Sequence, residues 1–201
     1  MSSYYRQSLE LYLKELDVIA DNCLDIGGSA YPVSKRVKSW DVKNYKIMDN
    51  NQELGWKDDK WRDPEYTYDL NRDVKKHLSF NDKQELTETF DLIFCLEVFD
   101  YIWHPIQALE NIHLLLKDGG RAVITFPFIY PVHQPVESDS LRYTEFGIQK
   151  ICTAAKLKIT NMIPRETPNE GLLREFYSAD KMHLAKQYDH SVLGWIVEVT
   201  K

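Results

Sequence analysis

Cysteine, glycine, excess positive charge and long apolar runs are all scarce in this chain of 201 residues. Its three cysteines, Cys23, Cys95 and Cys152, are odd in number and far apart. That excludes a disulfide framework or a zinc knot and predicts reduced, buried thiols in a reducing compartment. Glycine is 8 of 201 residues, below the usual ~7%, which excludes collagen-like and glycine-linker classes. No window reaches the ~18 uninterrupted apolar residues of a membrane span. The first six residues carry no apolar signal core, so a cytoplasmic protein without membrane attachment is expected. Lys and Arg number 25 against 31 Asp and Glu, a formal net charge of −6. Nucleic-acid binding needs a basic face that displaces counterions, so the balance argues against such a partner.

What is present is an ordinary folding composition, 43% hydrophobic and 28% charged. The length suits one domain, residues 1–201, with a core of its own. Tyr5, Leu9, Tyr12, Leu13, Leu16, Ile19 and Ala20 recur at spacings of three and four. They predict an N-terminal covering helix over 1–21, capped by Ser2 or Ser3. Short apolar strands are expected at Asn22–Ile26, Tyr45–Asp49, Tyr66–Leu70, Phe90–Leu96, Ala122–Phe126, Leu157–Ile163 and Val192–Val199. Ile106, Leu109, Ile112, His113, Leu115 and Leu116 mark a helix that Pro105 can begin and Gly119-Gly120 can stop. Thr144 can cap a further helix carrying Ile148, Ile151, Cys152 and Ala155, and residues 170–188 read as partly helical. Strands alternating with helices specify an α/β fold with a mostly parallel sheet.

Ligands of an open α/β sheet bind at the carboxyl ends of its strands. After the first strand come Gly27 and Gly28, with Asp25 just before them, and the second strand ends in Asp49. A glycine turn followed about twenty residues later by an acidic strand end matches one strand–helix–strand unit, and such a carboxylate can accept two ribose hydroxyls. Asp69 and Glu97 follow the third and fourth strands. Taken singly, any of these carboxylates is more often a turn former or a solvated charge. The dinucleotide fingerprint Gly-x-Gly-x-x-Gly is absent from Gly27-Gly28-Ser29-Ala30-Tyr31-Pro32, which disfavours an NAD-dependent oxidoreductase.

Leu24-Asp-Ile-Gly-Gly-Ser-Ala-Tyr31 resembles the first motif of the class I S-adenosylmethionine-dependent methyltransferases, Leu-Asp-x-Gly-x-Gly-x-Gly, with Ser29 and Tyr31 at the second and third glycines. Phe90 to Pro105 resembles the family's fourth-strand motif, with Asp100-Tyr101 in place of Glu-His. Ala108 to Thr125 resembles its following helix, "Leu-Lys-Pro-Gly-Gly" turn and fifth strand, with Asp118 in place of Pro. The three segments come in the family's order and span roughly residues 20–165. The resemblance implies a Rossmann-like, mostly parallel seven-stranded sheet flanked by helices, with S-adenosylmethionine as cofactor. It implies that Asp25, Gly27 and Gly28 shape the methionine side and Asp49 holds the ribose. By the same likeness, Asp69 and Leu70 meet the adenine, and Leu96 and Glu97 line the cofactor. It also implies methyl transfer to a small-molecule acceptor, with a sugar or metabolite hydroxyl as the expectation. A degenerate, non-catalytic cofactor- or partner-binding module is the alternative.

Residues 127–144 and 164–190 are expected on the substrate side. Small methyltransferases carry a "His-x-x-x-x-Asp-x-x-Arg-Tyr-Thr" segment there, resembled by His133, Asp139, Arg142, Tyr143 and Thr144. His133 is the candidate base, being the near-neutral titrating group of that loop. Asp139, Arg142 and Tyr143 are candidate acceptor contacts, and the rival reading is that His133 and Asp139 merely fix the loop while Arg142 pairs with a carboxylate. Trp56, Trp61, Tyr66 and Tyr68 either stack on a sugar or base or pack under a loop. Lys35, Arg36, Lys38, Lys43 and Lys46 read as a solvated helix face. His104 and His113 read as structural, and His77, His183 and His190 have no converging partner in the sequence. No cluster has metal-ligand spacing. The oligomeric state stays open.

Overall fold

The computed structural model describes residues 4–50, 61–77, 85–166 and 192–201. The expected Ser2 or Ser3 cap, Trp56, His183, His190 and the helix over 170–188 lie outside them.

Helix α1 (Tyr4–Glu15) buries Tyr5, Leu9 and Leu13, spaced four apart on one face. It stops six residues before the expected end at residue 21. From Asp17 the chain is strand β1 (Asp17–Ile26), in which Val18 and Ala20 are buried and Ile19 between them is 72% exposed. Period two has replaced period 3.6. Strand β2 (Ser39–Asp49) pairs parallel to β1 along its whole length, from Asp17–Ser39 to Ile26–Met48. The expected helix between them is a 3₁₀ turn, Val33–Lys35. The basic run therefore lies on that turn, on the bend after it and on β2; Lys38 in the bend pairs Asp17 at 2.9 Å, and Lys43 of β2 pairs Asp21 at 2.7 Å.

Strand β3 is short (Tyr66–Thr67) and is followed by helix α2 (Val74–His77). Strand β4 (Phe90–Cys95) leads to helix α3 (Pro105–Leu115), with Pro105 in its first turn. The helix stops at Leu115 and strand β5 (Leu116–Pro127) begins at once. Gly119 and Gly120 are thus inside the strand segment and not a helix stop. Gly119 has φ +74°, and the β4–β5 register jumps from Phe90–Leu116 to Leu92–Arg121 around them. Glycine accepts that left-handed backbone without strain. Helix α4 (Glu145–Ala154) is capped as expected, the Gly147 N–H donating to Thr144 Oγ1 at 3.1 Å. Strands β6 (Lys158–Glu166) and β7 (Val192–Thr200) complete the sheet.

The seven strands run in the order β3-β2-β1-β4-β5-β7-β6, with β7 antiparallel to both neighbours and the other pairs parallel. This is the expected Rossmann-like α/β sheet. Alternate residues of the central strands feed two cores. Leu24, Ile26, Ile93 and Cys95 join Leu109 and Ile112 of α3 and Ile148 of α4 on one face. Cys23, Leu92 and Phe94 join Leu9 and Leu13 of α1 on the other. Burial on both faces explains why β4 reads as a continuous apolar run. Each fully buried side chain of this size contributes about 1.5–3 kcal/mol. Strand order reverses between β1 and β4, which pair in parallel at the sheet centre, and a crevice opens at such a switch point.

Candidate functional site

A cleft of ≈ 410 Å³ stands at the carboxyl ends of β1, β2 and β4. The sequence places there Asp25, Gly27, Gly28, Asp49, Asp69, Leu70, Leu96, Glu97 and His133, and all nine line it.

Asp25 is 2% exposed. Its Oδ2 accepts from the Val33 N–H at 2.8 Å and from the Tyr45 hydroxyl at 2.6 Å, so this carboxyl ties the turn after β1 to β2. Burial pushes it up to about 6 against the pull of those hydrogen bonds. Gly27 has φ +77°, and a Cβ there would stand 2.4 Å from Val98 Cγ2. A Cβ on Gly28 would stand 2.3 Å from Asp25 Oδ2. Both glycines are demanded by the turn itself. Ser29, at the altered position, is buried, and its backbone N–H donates to Asp49 Oδ2 at 3.3 Å. Asp49 also accepts from Asn50 N at 2.8 Å. Tyr31 does not fill the cleft. It is a half-exposed wall, with the Arg6 guanidinium 5.1 Å from its ring centroid.

Asp69 accepts from the backbone and side-chain nitrogens of Asn71, both at 3.0 Å. The buried Asn111 of α3 holds the same bend by donating to the carbonyls of Leu70 at 3.1 Å and Arg72 at 2.7 Å. After β4, Glu97 takes a left-handed backbone, φ +57°. Its N–H donates to Thr125 Oγ1 at 2.7 Å, and that hydroxyl donates to Glu97 Oε1 at 2.9 Å. Arg165 of β6, wholly buried, donates to the same Oε1 at 2.6 Å.

The 127–144 segment packs around the other wall. His133 lines the cleft, its Nδ1 meeting the Tyr101 hydroxyl and the Gln134 carbonyl, the latter at 2.8 Å. Asp139 and Arg142 do not line it. Asp139 accepts from the His133 N–H at 2.6 Å, and Arg142 grips both its oxygens at 2.5 and 2.7 Å. The guanidinium holds this carboxyl below the usual carboxylate range. Tyr143 is turned into the core and is 6% exposed. Its hydroxyl donates to the carbonyls of Phe99 at 3.1 Å and Ile102 at 3.2 Å. Asp139, Arg142 and Tyr143, expected as acceptor contacts, thus form a loop clamp and a core anchor outside the cleft lining. Of the four aromatic candidates, Trp61 and Tyr68 line the cleft, while Tyr66 packs against the core beside it.

Sequence reasoning missed Arg6 and Glu10 of α1, Arg36, Tyr130 and Asp100 as lining residues. Arg36 had been placed in the solvated basic run, yet it donates to Glu10 Oε1 at 2.7 Å across the mouth. Asp100 was legible only as a replacement within the fourth-strand motif. It is 6% exposed, and its Oδ1 is buried without a hydrogen-bond partner. Burial first, and then the neighbouring Glu97, push its carboxyl up to about 7. Among the described residues, no group of three His, Cys, Asp or Glu could hold a metal ion, and no helix is long and apolar enough to cross a membrane.

A family model described as a methyltransferase domain matches residues 2–159. No curated protein matches the chain. Among solved structures, the S-adenosylmethionine-dependent methyltransferase from Mesorhizobium loti is 13% identical, with a TM-score of 0.59 over 100% of this chain and 99% of that one. The N-methyltransferase NodS from Bradyrhizobium japonicum WM9, in complex with S-adenosyl-L-homocysteine, is 17% identical, with a TM-score of 0.52 over 98% and 85%. The [4+2]-cyclase SpnF is 13% identical, with a TM-score of 0.56 over 98% and 80%. At these identities the structures establish a shared fold.

Proposed function

The chain belongs to the methyltransferase-domain family, and from that premise we propose that it transfers a methyl group from S-adenosylmethionine to a small-molecule acceptor. The observation that carries the reading is the convergence of two motifs on one cleft. The Gly27-Gly28-Ser29 turn and the Asp49 carboxylate line the same space, joined by the Ser29–Asp49 hydrogen bond.

The residues fit the cofactor. Apart from Asp100, the cleft lining carries five carboxylates, Glu10, Asp25, Asp49, Asp69 and Glu97, against two guanidiniums, Arg6 and Arg36. Such a lining suits a ligand with a sulfonium and an ammonium group and one carboxylate. Leu70 and Leu96 offer apolar surface beside the acids.

When bound, S-adenosylmethionine supplies an electrophilic methyl on a sulfonium. Asp49 would accept the ribose hydroxyls, and Asp69 beside Leu70 the adenine amino group. The glycine turn leaves backbone open to the methionine part, where Arg6 and Tyr31 form the outer wall. The protein's work is then to align the acceptor with the methyl carbon and to exclude water. The SpnF likeness means that fold alone does not decide the chemistry. Calorimetric titration with S-adenosylmethionine and S-adenosylhomocysteine, with NAD as control, tests the reading. Micromolar binding of the two adenosyl compounds and none of NAD supports it. A folded sample that binds neither refutes it.

A further inference from the structure

The part of the cleft bounded by Asp100, Tyr101, Tyr130 and His133 is not accounted for by the cofactor residues. We infer that it is a cation site, and that the methyl acceptor it takes is a primary or secondary amine held by Asp100 among these rings. The inference rests on the methyl-transfer reading above and names the acceptor class for the same site.

The argument begins with what Asp100 lacks. Its Oδ1 is buried without a hydrogen-bond partner. A buried carboxylate is stable only when paired and hydrogen-bonded. The guanidinium that acts on Asp100, that of Arg142, is spent. Arg142 uses its five N–H groups on Asp139 Oδ1 and Oδ2 and on the carbonyls of Tyr130, Pro131 and Leu141. Arg165 divides its guanidinium between Glu97 and the Tyr5 carbonyl. The other acids that act on Asp100, Glu97 and Asp139, are repulsive. The complement of this position is therefore a positive donor that enters from the cleft.

The rings point to the same ligand. Tyr101 and His133 have centroids 5.8 Å apart in an edge arrangement, and Tyr130 and His133 stack at 6.0 Å. Aromatic faces attract a cation within about 6 Å of the centroid, an attraction that grows as the site is desolvated. The Tyr101 hydroxyl donates its one proton to the Gln134 carbonyl at 2.7 Å, so it has none left for an acceptor oxygen. An alcohol could donate one hydrogen bond to Asp100 but would leave its charge unbalanced. An ammonium supplies both the hydrogen bonds and the charge.

The transfer then balances. The bound ammonium gives one proton to the Asp100 carboxylate and becomes a neutral amine. The nitrogen lone pair forms the N–C bond as the S–C bond of the sulfonium breaks, and that electron pair stays on sulfur. The product leaves as an N-methylammonium ion, and Asp100 returns its proton to water. A carboxyl pushed up to about 7 suits this exchange better than one in the ordinary carboxylate range.

The test uses benzylammonium and its neutral isostere benzyl alcohol, titrated at pH 8 into the full chain with and without saturating S-adenosylhomocysteine, and into Asp100→Asn. Charge-assisted pairing predicts that benzylammonium binds roughly tenfold to a hundredfold tighter than the alcohol. In Asp100→Asn, shown to be folded by its melting transition, the preference falls to about twofold or less. Equal affinities, no binding of either probe, or a preference that survives in Asp100→Asn overturns the proposal. Should S-adenosylhomocysteine fail to bind, the cofactor reading falls, while the ion–alcohol comparison on the bare chain still decides the cation site. The wild-type comparison needs no variant to fold.

Discussion

Arg165 of β6 and Glu97 after β4 form an ion pair, Nη1 to Oε1 at 2.6 Å, across 68 residues of sequence. The same guanidinium lies 3.2 Å from the Tyr5 ring centroid, and its Nε donates to the Tyr5 carbonyl at 3.0 Å. One wholly buried cation thus fastens the N-terminal helix, the edge strand β6 and a cleft carboxylate together.

Removing one partner of a buried pair strands the other charge, at a cost of about 3–5 kcal/mol. Arg165→Met is therefore expected to lose stability in that range by denaturant unfolding. Arg165→Met combined with Glu97→Gln should recover most of it, because no charge is then stranded. A loss below about 1 kcal/mol in the single variant would show that the pair does not hold the site.

Gly27→Ala places a side chain on a φ of +77° and drives its Cβ to 2.4 Å from Val98. The backbone penalty alone is about 1–2 kcal/mol. The variant should melt lower than the parent and bind S-adenosylhomocysteine more weakly, because the turn must shift. An unchanged dissociation constant would remove this turn from the cofactor site.

Asp49→Ala deletes the carboxylate that the Ser29 and Asn50 N–H groups share. Hydrogen bonds to a charged group contribute about 1.5–3 kcal/mol, so S-adenosylhomocysteine affinity should fall by roughly tenfold to a hundredfold. Calorimetry on the folded variant checks it, and an unaltered affinity would take the ribose contact away from Asp49.

The buried carboxyls also set a pH dependence. Asp25 is pushed up to about 6 and Asp100 to about 7, in both cases mainly by burial. Above the ordinary carboxylate value near 4 and below these values, the folded chain keeps protons that the unfolded chain has lost. Their contribution to stability therefore falls as pH rises through about 4 to 7. Asp100→Asn cannot ionise, so its melting temperature should exceed the parent's at pH 8, and by much less at pH 5. An equal difference at both pH values would mean that the Asp100 carboxyl is not the source.

The fold was legible where the chain obeys one period. β4, buried on both faces, announces itself as an apolar run, and the Thr144 cap is visible in the residue type alone. The spacing predicts a covering helix six residues too long because Leu16, Ile19 and Ala20 continue its period by coincidence, while Ile19 in fact faces solvent. Gly119-Gly120 looked like a helix stop because a left-handed glycine serves a strand irregularity as well as a helix end. In the candidate site, the residues at strand ends could be found, since strand ends are where an α/β sheet gathers ligands. Arg165 and Tyr5 could not, because what joins them to Glu97 is tertiary and leaves no spacing. Tyr143 sits inside a loop motif yet faces the core, and its direction is set by the carbonyls of Phe99 and Ile102.

The most direct test of the account is a crystal structure of the chain grown with S-adenosylhomocysteine. The account predicts the ribose hydroxyls on Asp49, the adenine beside Asp69 and Leu70, and the homocysteine part along Gly27 and Gly28, with the space by Asp100, Tyr101 and His133 left for the acceptor. A ligand bound in another orientation, or crystals at saturating ligand with none in this cleft, would contradict it.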